Sequence, residues 1–231
     1  MNKKVMIGCP VRNRAWVLPR YLECLGKVEY LPEKTEYCFV INDCVDETPE
    51  ILESFASEQR SPVKLIRMDY GHDQGHDRGK YSFARLASLR NLLLEGFLDS
   101  DADYLFSVDS DILVPPSALN CLLEDDCDIV SALVCNGHEL GNEKIFNILE
   151  RKNGRWMHLL EFPRDKIFQV DCTGAAYLIK RRVIEACGVR YSAALGAEDI
   201  GFCHSAGKKG IKIFCDSRVE CTHLMRENDI I

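Results

Sequence analysis

No stretch of the 231 residues approaches the roughly 20 apolar positions that a membrane-crossing helix requires, and Met1-Asn2-Lys3-Lys4 leads only into a short apolar run before Arg12. The expectation is a soluble chain with no transmembrane segment and no signal peptide. Basic residues are in deficit, with 29 Lys and Arg against 36 Asp and Glu and a formal charge of −7. That balance, without any long basic run, argues against nucleic acid as a partner. There are 12 cysteines but no Cys-x-x-Cys pair. Several of them (Cys9, Cys38, Cys135, Cys172, Cys215) sit inside apolar runs, so reduced thiols in the cytoplasm fit better than a disulfide scaffold. No internal repeat exists beyond a Gly-His-Asp duplication at 71–77.

What is present is enough for one sizeable core, and a single domain over residues 1–231 is the default. Apolar β-rich runs alternate with helical patterns, the sequence form of βαβ units around a mostly parallel central sheet flanked by helices. Strands are expected at 4–11, 37–41, 63–68, 104–108, 129–134 and 175–179, with a closing pair near 211–214 and 219–223. Helices are expected from about Pro19 through Leu25, from Thr48 as N-cap through Phe55, over 83–97, 117–123 and 182–186, and from Glu198 to about Ala206. Gly71 to Lys80 has no apolar periodicity and reads as a loop, and 136–163 reads as a hairpin or mobile segment.

Asp109 and Asp111 lie two apart at the end of an apolar strand, where extended geometry points both carboxylates to one side of the rim at which α/β sheets bind ligands. Two hard oxygen donors there suit Mg²⁺ or Mn²⁺ bridging phosphates, although aspartates after strands also cap turns. Asp43 and Asp46 follow the second strand and Arg12 and Asn13 the first, so three strand ends are polar; for Asp46 plain loop polarity is the favoured reading. Glu198-Asp199 opens a helix, where acidic residues also serve the helix dipole. His223 becomes a ligand candidate only if it converges on the two aspartates.

Together these residues resemble the GT-A-fold glycosyltransferases, and their order resembles glycosyltransferase family 2. Asp109-Ser110-Asp111 is similar to that fold's Asp-x-Asp motif, and Cys9-Pro10-Val11-Arg12-Asn13 to the family's strand-Pro-Val-x-Asn opening. Residues 39–48, with Asn42-Asp43 in place of two aspartates and Cys44-Val45 in place of Gly-Ser, resemble its Val-Asp-Asp-Gly-Ser-x-Asp-x-Thr segment. Arg90-Asn91, Cys172-Thr173-Gly174-Ala175-Ala176, Glu198-Asp199 and Cys221-Thr222-His223 complete the series over residues 5–224. The resemblance implies a GT-A nucleotide-diphospho-sugar transferase, with residues 1–111 as nucleotide-binding half and 112–231 as acceptor-binding half. It implies Asp109, Asp111 and His223 on a Mn²⁺ or Mg²⁺ ion, and Asp43 on the base. Arg85 and Arg90 would meet base or diphosphate, while Pro10, Arg12, Asn13, Ser110 and Gly174 line the donor site. Asp199 would be the catalytic base of an inverting transfer and Glu198 its partner at the acceptor, with a UDP-sugar as donor and a glycan, lipid or protein as acceptor.

The run from Ser88 to Asn91 through Asp109-Ser110-Asp111-Ile112 also resembles the Anp1-type mannosyltransferases, which implies GDP-mannose and a retaining reaction. His72 and His76 have a metal-compatible spacing, but solvated polarity or a flap over the donor fits a glycine-rich loop better. Three rival functions are weaker. An aspartyl-phosphate phosphatase would carry its Asp-x-Asp on the first strand. A zinc module of Cys203, His204, Cys215, Cys221 and His223 matches no zinc spacing. A sugar-nucleotide pyrophosphorylase needs a glycine-rich loop that Cys9-Pro10-Val11-Arg12 does not supply.

Overall fold

A computed structural model of the chain describes residues 3–71, 82–137 and 141–227. Strands β1 (Val5–Val11), β2 (Thr35–Ile41) and β4 (Tyr104–Val108) carry apolar side chains on both faces and are almost wholly buried. That pattern belongs to central strands covered by helices on two sides. With β3 (Val63–Arg67) they pair in the order β3-β2-β1-β4, all parallel. Helices α1 (Leu18–Gly26), α2 (Thr48–Glu58) and α3 (Phe83–Leu98) make the crossovers. Val5, Ile7, Cys9 and Val11 share one core with residues of α1, α2 and α4 (Ala118–Glu124), whereas Met6 joins the core built on α3. The two-residue period of β1 thus feeds both layers.

Beyond β4 the sheet is mixed, so the mostly parallel character expected for the whole holds for the first half. β11 (Ala176–Lys180) runs antiparallel to both β4 and β6 (Ile129–Val134). β12 (Ile213–His223) is parallel to β6, while β5 (Ile112–Leu113) and β9 (Ile167–Val170) pair antiparallel with β12. A second sheet contains β10 (Cys172–Thr173), β7 (Ile148–Lys152) and β8 (Arg155–His158). β7 and β8 form a hairpin turned by Asn153 and Gly154 at φ 51 and 78, the left-handed pair that a two-residue hairpin loop requires. This hairpin occupies the segment expected as hairpin or mobile. Helices α5 (Arg181–Glu185) and α6 (Glu198–Lys208) complete the described elements.

Two expectations are corrected. The closing strand pair is one strand, because both halves of β12 pair with β6 across a register shift between Asp216 and Glu220. The polar break there is internal: buried Asp216 accepts the Arg218 N–H at 3.0 Å and the Arg218 guanidinium at 2.9 Å. Thr48 is the first residue of α2 rather than its cap; its Oγ1 accepts the Arg14 N–H at 2.7 Å, and Asp46 Oδ1 accepts the Thr48 N–H at 3.1 Å. Asp46 therefore serves the loop, as its favoured reading held. Past Gly71, the loop expected to Lys80, with His72 and His76, lies outside the described residues. No helix among the described residues is long and apolar enough to cross a membrane.

Candidate active site

Because β1, β2 and β4 are parallel, their carboxyl ends share one edge of the sheet, and the residues that follow them meet there. Arg12, Asn42 and Asp109 reach the same cavity, about 1060 Å³, which also receives Glu198, Asp199 and His223. Of the candidates read from the sequence, Pro10, Arg85, Arg90, Ser110, Asp111 and Gly174 line it too.

The Asp-Ser-Asp segment is a turn rather than extended chain: the Ile112 N–H donates to the Asp109 carbonyl at 2.9 Å, and the Asp109 N–H to the Ala175 carbonyl at 2.7 Å. The two carboxylates consequently diverge. Asp111 faces Arg14, with Oδ2 3.4 Å from a guanidinium nitrogen, and His223, whose Nε2 is 3.8 Å from Asp111 Oδ1. Strand pairing makes this meeting, since His223 lies opposite Ile112 in the β12–β5 ladder and the Leu224 N–H donates to the Asp111 carbonyl at 2.9 Å. On the other side of the ring, His223 Nδ1 stands 3.1 Å from Asn136 Oδ1. An amide oxygen only accepts, so Nδ1 is the donor in that contact and Nε2 is the ring nitrogen that faces Asp111.

Asp109 turns inward to Arg90, which donates from one nitrogen to both its oxygens at 2.8 and 3.1 Å and from Nε to Glu198 at 2.9 Å. Arg90 is 4% exposed and lies 5.6 Å from the Tyr191 ring centre. Burial disfavours its charge, but Asp109 above all, with Tyr177 and Glu198, more than offsets this and holds the guanidinium firmly protonated. The arginine expected at the donor thus reaches the cavity from α3 with its guanidinium already donating to two carboxylates. Next to it, Asn91 exchanges two hydrogen bonds with the Tyr191 backbone, at 2.9 and 3.0 Å, and so fixes the loop that precedes α6.

Asp199 stands beside Glu198 at the start of α6. Burial, then the Glu198 charge, push its carboxyl up to about 7. The space it occupies exists because residue 174 has no side chain: a Cβ there would lie 2.3 Å from Asp199 Oδ2. The Gly174 carbonyl is in turn held by Asn147 at 2.8 Å, whose amide also donates to Ala132 and accepts from Val134. Ala175, at φ 68, turns the chain into β11 in a conformation disfavoured for a residue with a side chain.

The outer rim behaves differently from expectation at two points. Asp43 does not line the cavity; its carboxylate accepts the Tyr70 and Gly71 N–H groups at 2.9 and 3.1 Å and the Asn42 amide at 2.9 Å. Burial raises its pKa, and these three donors more than reverse that, leaving it below the ordinary carboxylate value. Asn13 likewise ties two loops, its side chain accepting the Val45 N–H at 2.9 Å. Arg85 is stacked over the Tyr70 ring at 5.4 Å. Arg14, Asn136, Asn147 and His158 reach the cavity without having been picked from the sequence. Each is a single polar residue in a loop or strand, and only the long-range pairing shows what it faces.

Among the described residues no three His, Cys, Asp or Glu side chains gather as a complete ligand set. Asp111 and His223 alone fit a divalent cation, an oxygen and an imidazole nitrogen close enough to share one ion. That is the incomplete protein set expected where substrate phosphates supply further ligands.

This sheet, with its acidic turn after β4, is the GT-A fold of glycosyltransferases that use nucleotide sugars. Solved structures of that class share it. Residues 1–349 of S. aureus TarS match at TM-score 0.61 and 14% identity, over 95% of this chain and 60% of that one. Mannosyltransferase PcManGT from Pyrobaculum calidifontis, solved with GDP-Man and Mn²⁺, matches at TM-score 0.63 and 19% identity, over 98% and 58%. GalNAc-T7 with UDP, GalNAc and Mn²⁺ matches at TM-score 0.69 and 14% identity, over 97% and 44%. The chain thus spans at most 60% of the length of each. No curated protein sequence matches it. The chain belongs to the Anp1 family, whose pattern matches residues 1–152. The matched stretch holds Arg90 and the acidic turn, whereas Glu198, Asp199 and His223 lie beyond it.

Proposed function

We propose that the chain moves a hexose from a nucleoside diphosphate sugar to an acceptor hydroxyl, with Asp111 and His223 holding Mn²⁺ or Mg²⁺ and Asp199 taking the acceptor's proton. What carries this reading is that a metal-compatible Asp–His pair and a carboxyl poised near neutrality open on one cavity. When bound, the cation supplies positive charge against the charge that gathers on the departing diphosphate. Arg12, Arg14 and Arg85 add to that charge from the cavity wall. Arg90 holds Asp109 and Glu198 in place, and Gly174 leaves Asp199 its room. A base titrating near the working pH is suited to remove a hydroxyl proton as the oxygen attacks.

For the donor we favour GDP-mannose, on the strength of Anp1 membership and the shared fold of PcManGT with GDP-Man. The resemblance that implied a UDP-sugar put Asp43 on the base, and its carboxylate already serves three protein donors. It remains the second reading, since TarS has been solved with UDP-GlcNAc on the same fold. In this proposal residues 1–111 bind the nucleotide and 112–231 the acceptor within one domain, joined where Asp111 meets His223. We place it in the cytoplasm, in keeping with its twelve free thiols. Proton NMR of the first-formed product tests the mechanism: a base at Asp199 predicts inversion at the anomeric carbon. Retention removes that role and leaves the Anp1-type retaining route.

A further inference from the structure

We infer that Arg14 makes binding of the cation conditional on the nucleotide: beside Asp111 it opposes a divalent cation that arrives alone and favours one that arrives with a nucleoside diphosphate. The inference rests on the transferase reading and deepens it by naming the residue that couples its two ligands. Three mostly buried side chains meet at this part of the cavity wall. The Asp111 carboxylate has an Arg14 guanidinium nitrogen 3.4 Å from Oδ2 and His223 Nε2 3.8 Å from Oδ1, and the Asp111, Arg14 and His223 side chains are 11%, 13% and 9% exposed. Local structure aims Arg14 at this place. Asn13, at φ 49, turns the chain out of β1; the Arg14 N–H then donates to Thr48 Oγ1 at 2.7 Å, and the Arg14 carbonyl accepts from Val17 and Leu18 at 3.0 and 2.9 Å. The backbone of residue 14 thus ties the starts of α1 and α2 together without using the guanidinium.

A guanidinium keeps its charge at every working pH, and in this place the charge has two effects of opposite sign. A dication held by Asp111 and His223 more than cancels the single negative charge of Asp111, so Arg14 then faces net positive charge at a site largely shielded from water, where like charges repel more strongly than in bulk solvent. A nucleoside diphosphate reverses the balance. Its phosphate oxygens bring several negative charges to the same wall and satisfy the cation and the guanidinium together. The two ligands are therefore coupled through one side chain, and the coupling is reciprocal. An arginine that merely braced Asp111 would behave otherwise, because its loss would loosen the carboxylate and weaken every ligand that Asp111 holds. The two roles differ in sign.

The test uses the full chain and reads uptake of Mn²⁺ alone by electron paramagnetic resonance, then binding of GDP, or of UDP if GDP does not bind, by calorimetric titration in excess Mn²⁺. Arg14→Met, which keeps most of the stem but not the charge, should bind Mn²⁺ alone about tenfold more tightly than the wild type and the nucleotide with Mn²⁺ about tenfold more weakly. Arg14→Lys, which keeps the charge, should stay near the wild type in both. Melting temperatures give a second reading: Mn²⁺ alone should raise that of Arg14→Met, whereas the wild type should rise only with Mn²⁺ and nucleotide together. Equal or weaker uptake of Mn²⁺ alone by Arg14→Met overturns the inference. So does a wild type stabilised by Mn²⁺ alone as much as by both ligands, a result that needs no variant to fold. A wild type that binds neither nucleotide with Mn²⁺, or Mn²⁺ uptake that Asp111→Ala leaves intact, overturns the transferase reading itself, and this inference with it.

Discussion

Adding one carbon at position 174 moves the carboxylate at the centre of the site and little else. The φ of Gly174 lies outside the left-handed region, so alanine imposes no backbone strain there. Its Cβ would nevertheless sit 2.3 Å from Asp199 Oδ2 and 3.2 Å from Cγ, where ordinary contact begins at 3.4 Å. Asp199 must therefore withdraw by about 1 Å or rotate away, and a misplacement of that size costs a reacting group about a hundredfold in rate, or about 2.7 kcal/mol in barrier. Overpacking should also lower stability by about 1–3 kcal/mol, which still leaves a folded protein to assay. Transfer kinetics beside calorimetric titration with GDP and Mn²⁺ separate the effects: kcat should fall about a hundredfold while GDP affinity stays within about threefold. In a double-mutant cycle with Asp199→Asn the two losses should not add, because both remove the same carboxylate from its place. Wild-type kcat in Gly174→Ala, or full additivity in the cycle, refutes the placement of Asp199 as base.

Asp199→Asn alone should keep nucleotide binding and cut transfer by at least about a hundredfold, and wild-type kcat should climb as pH rises through about 7, where that carboxyl ionises. The same shift sets a stability slope. Folded Asp199 holds its proton more tightly than the unfolded chain does, so its contribution favours the fold below the ordinary carboxylate range and is lost as pH rises through about 7. Asp125, pushed up to about 6 by burial and by neighbouring Asp216, has the same sign. Thermal melts should accordingly show Asp125→Asn gaining on the wild type at pH 8 relative to pH 5. Arg90→Ala leaves Asp109 and Glu198 without their shared cation, and urea denaturation should register a loss of about 3–5 kcal/mol.

The parallel half of the fold was legible because its strands are apolar runs: β4 falls at the expected residues, and β1, β2 and β3 within two positions. β9 and β10 were not, since each is four residues or fewer and gains its register only from β12 or β7. The acidic turn, the Glu-Asp pair and the late histidine could be named from their order along the chain. Their division of labour could not. Whether Asp109 meets a metal or Arg90 depends on where α3, packed on β1 and β2, carries that arginine, and whether Asp43 is open to a base depends on the Tyr70 and Gly71 backbone that packs on it. Gly174 stood in a quoted motif, yet its use, room for a carboxylate 25 residues further on, is visible only in three dimensions.

Metal-assisted release of nucleoside diphosphate at Asp111 and His223 is the step on which the proposed reaction turns. It is tested most directly by following GDP release from GDP-mannose, and UDP release from a UDP-hexose, with Mn²⁺, with a chelator, and in Asp111→Ala. Release should occur with GDP favoured, stop with chelator, return with added Mn²⁺ and be lost in the variant although the variant remains folded. Release that persists in chelator, or that Asp111→Ala leaves undiminished, would contradict it.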